Sequence, residues 1–334
     1  MLRSSPFSVR NNTTMVSASL LASGIGCFSL TINGLSVDTA YPTSRMDPGF
    51  STAPRARLLY RAYDVLQLLN SSDGDGSGGS GSNKTGSFVV GVSLGFCKYG
   101  FLYNECEGAH ATHAKCRAIS LQLTMKYADG SKQTVQTNTN ADTRSDDVAW
   151  TATTTANPTR YTHLYHGEIF DARLEQPGWD TSAAAAAVDT TATATAWQPA
   201  IAYPNPERSR LDMLSLHNFP PMGVAAVVAP VKSWMVAADN TSAQLLRRVF
   251  DFGNNYAGVT EVAVTGGAPG AILTMRHTEI ADDNDGHTGP VDNTFYIKNG
   301  TNCFDRVLVD GPSICHPAIL PSCLPACLAD RLSD

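Results

Sequence analysis

Apolar and polar residues alternate along several short runs of this chain. In Cys27–Ile32 the apolar positions fall on every second residue, and Asn33-Gly34 follows directly. Asn-Gly tolerates the positive φ angles of a tight turn and is a strong hairpin signal. Ile119–Tyr127 shows the same period of two, turns at Asp129-Gly130 and returns as Gln133–Thr137. The pattern therefore predicts two β-hairpins.

Further short apolar runs are bounded by turn residues, which is typical of strands. These runs are Leu59–Leu69, Phe88–Leu94, Ala226–Val228, Val259–Val264, Ile272–Met275 and Thr294–Ile297. No sustained helical repeat interrupts them. We therefore expect an all-β protein with two β-sandwich, jelly-roll-like domains and a disordered C-terminal tail.

Composition shifts suggest the domain limits. We place a first sandwich at residues 15–205, a second at 206–311 and an irregular Pro- and Cys-rich tail at 312–334, with a boundary at Pro204-Asn205-Pro206. A Ser/Gly-rich, low-complexity loop at 71–86 interrupts the first sandwich. Ala183–Ala187 is interpreted as one helical turn or an insertion, and the Thr/Ala alternation of Thr190–Ala196 favours an insertion.

Charge and hydropathy indicate which classes of binding partner to expect. Of the 334 residues, 43% are hydrophobic and 16% charged, with a net charge of −6, which is enough apolar material for real cores. No basic stripe is present, so nucleic acid is not an expected partner. No run approaches the roughly 20 apolar residues of a membrane helix. A weakly charged, acidic surface suits a neutral ligand such as a sugar.

The sequence is compatible with more than one cellular compartment. Ser and Gly dilute the apolar stretch Met15–Leu30, which favours a strand over the h-region of a signal peptide. Eight cysteines and several Asn-x-Ser/Thr sequons, Asn12 and Asn70 among them, permit secretion.

Several spacings resemble motifs of other protein classes but lack their context. Gly74-x-Gly76-x-x-Gly79 lies in a Ser/Gly tract, whereas a dinucleotide fingerprint needs a strand before it and a helix after it. Asp251-Phe252-Gly253 lacks the other protein-kinase motifs. Asp283–Asp292 lacks the terminal Glu of a calcium loop. We interpret these stretches as a linker, a turn and an acidic loop.

Metal ligands do not converge in the sequence. His163 and His166 are three residues apart, which places them on opposite faces of a strand. Cys323 and Cys327 lack a second Cys/His pair at a zinc-site distance. We therefore expect no metal site and no cofactor.

Acidic and aromatic residues gather before the Thr/Ala tract. Glu168, Asp171, Glu175 and Asp180 form an acidic group, but their spacing selects no pair of catalytic carboxylates. With Arg173 and Trp179 nearby, the group has the usual components of a sugar site, since sugar C–H faces pack on rings and hydroxyls bond to charged groups. The alternative is ordinary sandwich packing, with Trp179 largely buried.

Four segments, in this order, resemble bacterial-type α-L-rhamnosidases. They are Leu30-Thr31-Ile32-Asn33-Gly34 with Asp47-Pro48-Gly49-Phe50 and Tyr60-Arg61-Ala62-Tyr63-Asp64-Val65; Gly91-Val92-Ser93-Leu94-Gly95; Tyr165-His166-Gly167-Glu168-Ile169-Phe170-Asp171-Ala172-Arg173 with Pro177-Gly178-Trp179; and Phe250-Asp251-Phe252-Gly253-Asn254-Asn255 with Gly258. The resemblance covers about residues 15–300.

The resemblance implies two β-sandwiches, the first similar to carbohydrate-binding modules, followed in the family by an (α/α)6 catalytic barrel. Family members hydrolyse terminal α-L-rhamnose by inversion, with two carboxylates in that barrel. This chain shows no barrel helices, so we expect the non-catalytic front half of such an enzyme, with no catalytic residue of its own. The alternatives are a free-standing carbohydrate-binding module and a truncated or decayed gene product.

The resemblance also implies a partner, a rhamnose-containing glycan or glycoside. On this basis the candidate binding residues are Glu168, Asp171, Arg173 and Trp179. Some relatives hold a calcium ion in the first sandwich through acidic residues that precede the Gly-Glu pair. His163 and His166 occupy the nearest positions here, so binding without a metal is expected.

Overall fold

The structure of the chain is a computed structural model. It describes residues 1–38, 58–71, 86–95, 118–137, 148–163, 167–182, 197–201, 214–218, 225–236, 247–256, 258, 260–264 and 270–277, and the strands at 304–308, 318–320 and 331–332. The predicted strand Thr294–Ile297, the Ala and Thr/Ala tracts and nearly all of the loop at 71–86 lie outside these residues.

Almost every regular element is a strand, which confirms the all-β prediction. In chain order the strands are β1 Leu2–Ser4, β2 Phe7–Ser8, β3 Met15–Ile25, β4 Cys27–Ile32, β5 Leu35–Ser36, β6 Leu58–Asp64, β7 Ser87–Phe88, β8 Val90–Gly95, β9 Ala118–Tyr127, β10 Lys132–Gln136, β11 Trp150–Ala152, β12 Thr159–His163, β13 Gly167–Asp171, β14 Gln198–Pro199, β15 Leu214–Leu216, β16 Lys232–Val236, β17 Arg247–Asp251, β18 Thr260–Val264, β19 Ile272–Arg276, β20 Phe304–Leu308, β21 Ala318–Leu320 and β22 Arg331–Leu332. The elements of the described residues also include the helix α1 (Leu66–Ser71) and a 3-10 turn at Ala172–Leu174.

The chain divides into two units. The first contains Met1–Asn157 and Gln176–Gly223, and the second contains Pro158–Glu175 and Val224–Asp334. The segment that carries Glu168, Asp171 and Arg173 therefore groups with the second unit, and Trp179 belongs to the first. The predicted domain limits stay predictions.

In the first unit two large sheets form a sandwich around one apolar core, and β2 and β7 form a separate two-stranded sheet. One sheet has the order β14-β11-β1-β8-β4-β5 and the other has the order β10-β9-β3-β6-β15. Both contribute to a single buried cluster, in which Ile32 and Val92 come from the first sheet and Leu20 and Leu123 from the second. Burial of each such side chain stabilises the fold by about 1.5–3 kcal/mol.

Alternation explains why these residues form strands. In β9 Leu121, Leu123 and Met125 are buried, while Gln122 and Lys126 between and after them are exposed. β9 continues through the predicted turn into β10, with Lys126 opposite Lys132. Both predicted hairpins are confirmed.

The first hairpin depends on the backbone that its turn residues allow. Asn33 and Gly34 both have positive φ, 47° and 80°, and they join β4 to β5 with Ile32 opposite Leu35. The Asn33 side chain also donates to the Ser87 carbonyl and accepts from the Val89 amide. It thereby connects the turn to residues 87–89, which directly precede β8, the strand that pairs with β4.

Two sequence predictions need correction. Leu59–Leu69 is not one apolar strand, because β6 ends at Asp64 and α1 begins at Leu66. The Asp64 carboxylate accepts from the Leu66 amide at 3.1 Å, and a carboxylate at this position satisfies amides at the start of a helix. The burial of Val65, Leu68 and Leu69 follows helical spacing.

The second correction concerns Ala226–Val228, which forms no strand and leaves Val227 88% exposed. The run is short, it lacks alternation, and Pro230 beyond it has no amide to donate. The strand β16 begins only at Lys232.

The described residues of the second unit form three sheets. Their orders are β12-β13-β20-β19, β16-β17 and β21-β18-β22. The predicted strands at Val259–Val264 and Ile272–Met275 appear as β18 and β19. The short strands β21 and β22 lie in the part of the chain that the sequence predicts to be an irregular tail.

Within the described residues, no helix has the length and apolar content that a membrane crossing requires.

Candidate functional site

The predicted acidic residues lie on β13 and the turn that follows it. β13 pairs with β12 on one side, with Glu168 opposite Thr162, and with β20 on the other side. Asp171 is the last residue of the strand, and its amide donates to the Pro158 carbonyl at 2.8 Å. The strand end fixes the position from which the Asp171 side chain leaves the sheet.

Asp171 and Arg173 form a two-pronged ion pair. The Arg173 Nε atom lies 2.8 Å from Asp171 Oδ1, and Arg173 Nη2 lies 2.8 Å from Asp171 Oδ2. The carboxylate also accepts from the Arg173 backbone amide at 3.2 Å and so caps the 3-10 turn Ala172–Leu174. The Asp171 carboxylate therefore caps the turn after the strand, and it also holds the Arg173 guanidinium in one orientation.

Exposure differs sharply between the two partners. The Asp171 side chain is 11% exposed, whereas the Arg173 side chain is 48% exposed. Hydrogen bonds from the Arg173 guanidinium lower the pKa of Asp171, and the nearby charge of Arg160 acts in the same direction, against the opposing effect of burial. The pair thus presents a fixed, half-exposed cation on a buried, ionised carboxylate.

Glu168 is on the other side of the strand. Successive side chains of a strand point to opposite faces, so residues three apart, such as Glu168 and Asp171, do not share a face. Glu168 is itself buried, at 7% exposed. The structure brings Asp171 and Arg173 together and does not bring Glu168 to the same face.

Trp179 lies in the first unit, in the segment Gln176–Ser182, and its side chain is partly buried. Its ring stacks on the ring of Trp197, with centroids 5.9 Å apart and planes 20° apart. The Arg3 guanidinium lies 4.3 Å from the centroid of the Trp197 ring and donates to the Trp179 carbonyl at 2.9 Å. We call Arg3, Trp179 and Trp197 the Trp stack.

The Trp stack covers a part of the six-stranded sheet that faces away from the core. Arg3 and Thr31 both pair with Gly91 on the intermediate strand β8. The Thr31 hydroxyl donates to the Asp180 carboxylate at 2.5 Å. A Cβ added at Gly91 would lie 2.5 Å from the Cβ of Asp180. Glycine is therefore required where the segment crosses the sheet.

The predicted site leaves out three residues that surround Trp179. Arg3, Gln176 and Trp197 join Trp179 through contacts such as the bond from Trp197 Nε1 to Gln176 Oε1 at 3.2 Å. Arg3 is 176 residues from Trp179, and a local sequence pattern does not predict a contact between residues so far apart in the chain. A second Trp after the Thr/Ala tract is the only signal that the sequence contains.

Metal ligands form no cluster in the described part of the chain, where no group of three or more His, Cys, Asp or Glu residues converges. His110, His113 and His166 lie outside the described residues, and so do Asp283–Asp292 and Cys323–Cys327.

The first unit is a two-sheet sandwich, and the second unit is a further set of sheets. A charged pair lies at a strand end, and stacked aromatic rings lie on a sheet. These features define an all-β protein of the sandwich class. Residues 13–209, more than half of the chain, match the family model described as the α-L-rhamnosidase N-terminal domain. The chain belongs to this family.

A curated relative agrees with the family match. The chain is 31% identical over 170 residues to an α-L-rhamnosidase of Formosa agariphila. The match covers 50% of this chain and 15% of the relative. The chain therefore corresponds to a small part of that protein.

Solved structures show the same fold. This chain is similar to an α-L-rhamnosidase of Dictyoglumus thermophilum, with a TM-score of 0.66, 21% identity and coverage of 97% of this chain and 30% of that one. For an α-L-rhamnosidase of Aspergillus terreus the values are 0.65, 20%, 97% and 31%. For one of Streptomyces avermitilis, complexed with L-rhamnose, they are 0.59, 21%, 97% and 26%.

Proposed function

We propose that this chain is a non-catalytic, all-β portion of an α-L-rhamnosidase-like glycoside hydrolase and that it contacts rhamnose-containing glycans. The observation that carries the proposal is the Asp171–Arg173 pair, with Arg173 48% exposed, inside the residues that match the rhamnosidase family model. In the wider family the reaction is the hydrolysis of terminal α-L-rhamnose.

The arrangement of the carboxylates supports a non-catalytic role. Glycosidases need two carboxyl groups that face each other across the scissile bond, about 5–9 Å apart. Glu168 and Asp171 leave opposite faces of β13, and both are buried. Asp171 is also committed to Arg173, whose guanidinium lowers the pKa of the carboxyl. A carboxyl held ionised in this way is poorly suited to be a general acid.

The charged pair has the chemistry of a sugar contact. Rhamnose is neutral, so its affinity must come from charge-assisted hydrogen bonds and a ring contact. A guanidinium fixed by a carboxylate donates to vicinal hydroxyls with little loss of side-chain entropy. We therefore centre the proposed contact on Asp171 and Arg173, with Glu168 as a buried support. Trp179 stays a predicted contact, and its stacking on Trp197 supports a packing role as well.

Two alternatives remain from the sequence. A free-standing carbohydrate-binding module would bind the sugar with the same pair and needs no further domain. A truncated or decayed gene product would have neither binding nor activity. Binding separates the last alternative from the first two, and the sequence of the gene beyond the Asp334 codon separates a module from a part of a longer enzyme.

The proposal is tested by NMR titration of L-rhamnose into the full chain, with and without calcium. We expect weak binding, in about the millimolar to high-micromolar range, that is independent of calcium and is lost in Arg173→Gln. Arg248→Gln is the matched control, since Arg248 is an exposed arginine on a different sheet of the same unit.

Each other outcome contradicts a stated part of the proposal. Binding that survives both Arg173→Gln and Asp171→Asn would place the sugar elsewhere. Calcium-dependent binding would contradict the metal-free site. No binding by a folded chain would remove the sugar contact and leave a supporting role or a relict.

A further inference from the structure

An exposed bend between β2 and β3 contains an acceptor sequence for N-linked glycans. Asn12-Thr13-Thr14 fits the pattern Asn-x-Ser/Thr, and Asn11-Asn12-Thr13 overlaps it. The residues Asn11–Thr13 form the bend, and Asn11 and Asn12 are both exposed. Asn12 is at the middle of the bend.

Hydrogen bonds hold both ends of the bend, and the asparagines between them are exposed to solvent. The Arg10 amide donates to the Tyr127 hydroxyl at 3.1 Å, and the Ala128 amide donates to the Thr14 carbonyl at 2.9 Å. These bonds attach both ends of the bend to the last residues of β9 and the turn after it. A bulky group on Asn12 would extend from the surface without displacing a core residue, as a glycan requires.

A second, independent feature indicates the compartment in which such a glycan is attached. Cys27, the first residue of β4, is disulfide-bonded and is 4% exposed. Disulfides form and persist in oxidising compartments and are rare where glutathione and thioredoxin keep thiols reduced. In eukaryotes the oxidising lumen of the endoplasmic reticulum is also the compartment where N-glycans are transferred.

The other acceptor sequences are weaker candidates or lie outside the described residues. Asn70 is exposed but lies in the last turn of α1, beside the buried residues Leu68 and Leu69. Asn83, Asn240 and Asn299 lie outside the described part of the chain. Asn12 therefore combines the acceptor sequence, exposure and an irregular backbone.

We propose that the chain matures in an oxidising secretory compartment and carries an N-linked glycan on Asn12. The donor is a lipid-linked oligosaccharide diphosphate. A bond forms between the Asn12 amide nitrogen and the anomeric carbon of the first sugar, the bond from that carbon to the diphosphate oxygen breaks, and one amide proton leaves with the lipid diphosphate. No oxidant or reductant takes part. The proposal does not depend on sugar binding at Arg173.

The test expresses the full chain behind a secretion leader in eukaryotic cells and maps its peptides by mass spectrometry, before and after release of the glycan by a peptide:N-glycosidase. We expect one glycan on Asn12, and Cys27 in a cross-linked peptide under non-reducing conditions. The two overlapping acceptor sequences provide a matched pair of variants. Thr14→Ala removes only the Asn12 sequence and abolishes the modification, whereas Thr13→Ala removes only the Asn11 sequence and retains it.

Three results would overturn the proposal. An unmodified Asn12 in secreted protein, or in protein retained in the lumen, contradicts it directly. Loss of the glycan in Thr13→Ala, with retention in Thr14→Ala, assigns the glycan to Asn11 instead. A free Cys27 thiol in glycosylated protein removes the link between the disulfide and the compartment.

Discussion

At the scale of single residues, Gly91 shows how a missing side chain positions a segment. It lies between Arg3 of β1 and Thr31 of β4 in the register of the six-stranded sheet. A Cβ at this position would overlap the Thr31 hydroxyl, lie 2.5 Å from the Cβ of Asp180 and lie 3.2 Å from the Trp179 ring. The segment that carries Trp179 and Asp180 can approach the sheet because this position has no side chain.

Gly91→Ala is therefore expected to destabilise the first unit by about 1–3 kcal/mol, the usual cost of forcing extra atoms into a packed site. The measurement is chemical denaturation. Gly130→Ala is a comparison variant, because Gly130 has a positive φ but no atom within 4 Å of its added Cβ, and it therefore measures backbone strain without a close contact. Gly91 is not among the glycines with positive φ, so an unchanged stability of Gly91→Ala would show that the close approach has no energetic consequence.

Asp171 should give a defined pH dependence. Hydrogen bonds from Arg173 lower its pKa in the folded state below the unfolded value of about 3.9. Its contribution to stability is therefore complete above that unfolded value and is lost as the pH falls through the folded pKa. The stability difference between wild type and Asp171→Asn should be constant at neutral pH and shrink below about pH 4.

The same carboxyl can be followed directly. NMR titration of the Asp171 carboxyl should give a pKa below its ordinary value in the wild type and a higher pKa in Arg173→Gln. A carboxyl that titrates at its ordinary value in the wild type would contradict the ion pair.

At the scale of elements, the contacts of the Trp stack hold the segment Gln176–Ser182 against the sheet. Trp179 is half-buried, so Trp179→Ala should cost less than the roughly 3–5 kcal/mol of a fully buried aromatic. A double-mutant cycle with Trp197→Ala should give a coupling energy of about 0.5–1.5 kcal/mol, as for other stacked aromatic pairs. Additive losses in thermal unfolding would mean that the two rings do not support each other.

The elements also show what the sequence predicts well. β4 and β9 follow from period-two alternation, and their turns follow from Asn33-Gly34 and Asp129-Gly130, because both signals are local. The sequence prediction misses the end of β6, although Val65, Leu68 and Leu69 have helical spacing. A continuous apolar run is ambiguous between strand and helix, and here the Asp64 cap resolves the ambiguity.

At the scale of the whole molecule, local and distant contacts differ in how far the sequence predicts them. Asp171 and Arg173 are two residues apart, so the sequence places both in one candidate site, although it does not predict that they form an ion pair. Arg3 reaches Trp179 and Trp197 only because β1 lies between β11 and β8. That placement depends on sheet order, which alternation does not encode. The division of the chain, which groups Pro158–Glu175 with the second unit, is likewise not visible in composition.

The most direct test of the account is whether the purified full chain hydrolyses an aryl α-L-rhamnoside. Positioned acid and base groups contribute about 100- to 10,000-fold each to rate, and the acidic residues of β13 form no opposed pair. We expect no release of the aryl group above a heat-inactivated control. Turnover that is abolished by Glu168→Ala or Asp171→Ala would show that this chain contains its own active site, and would contradict the account.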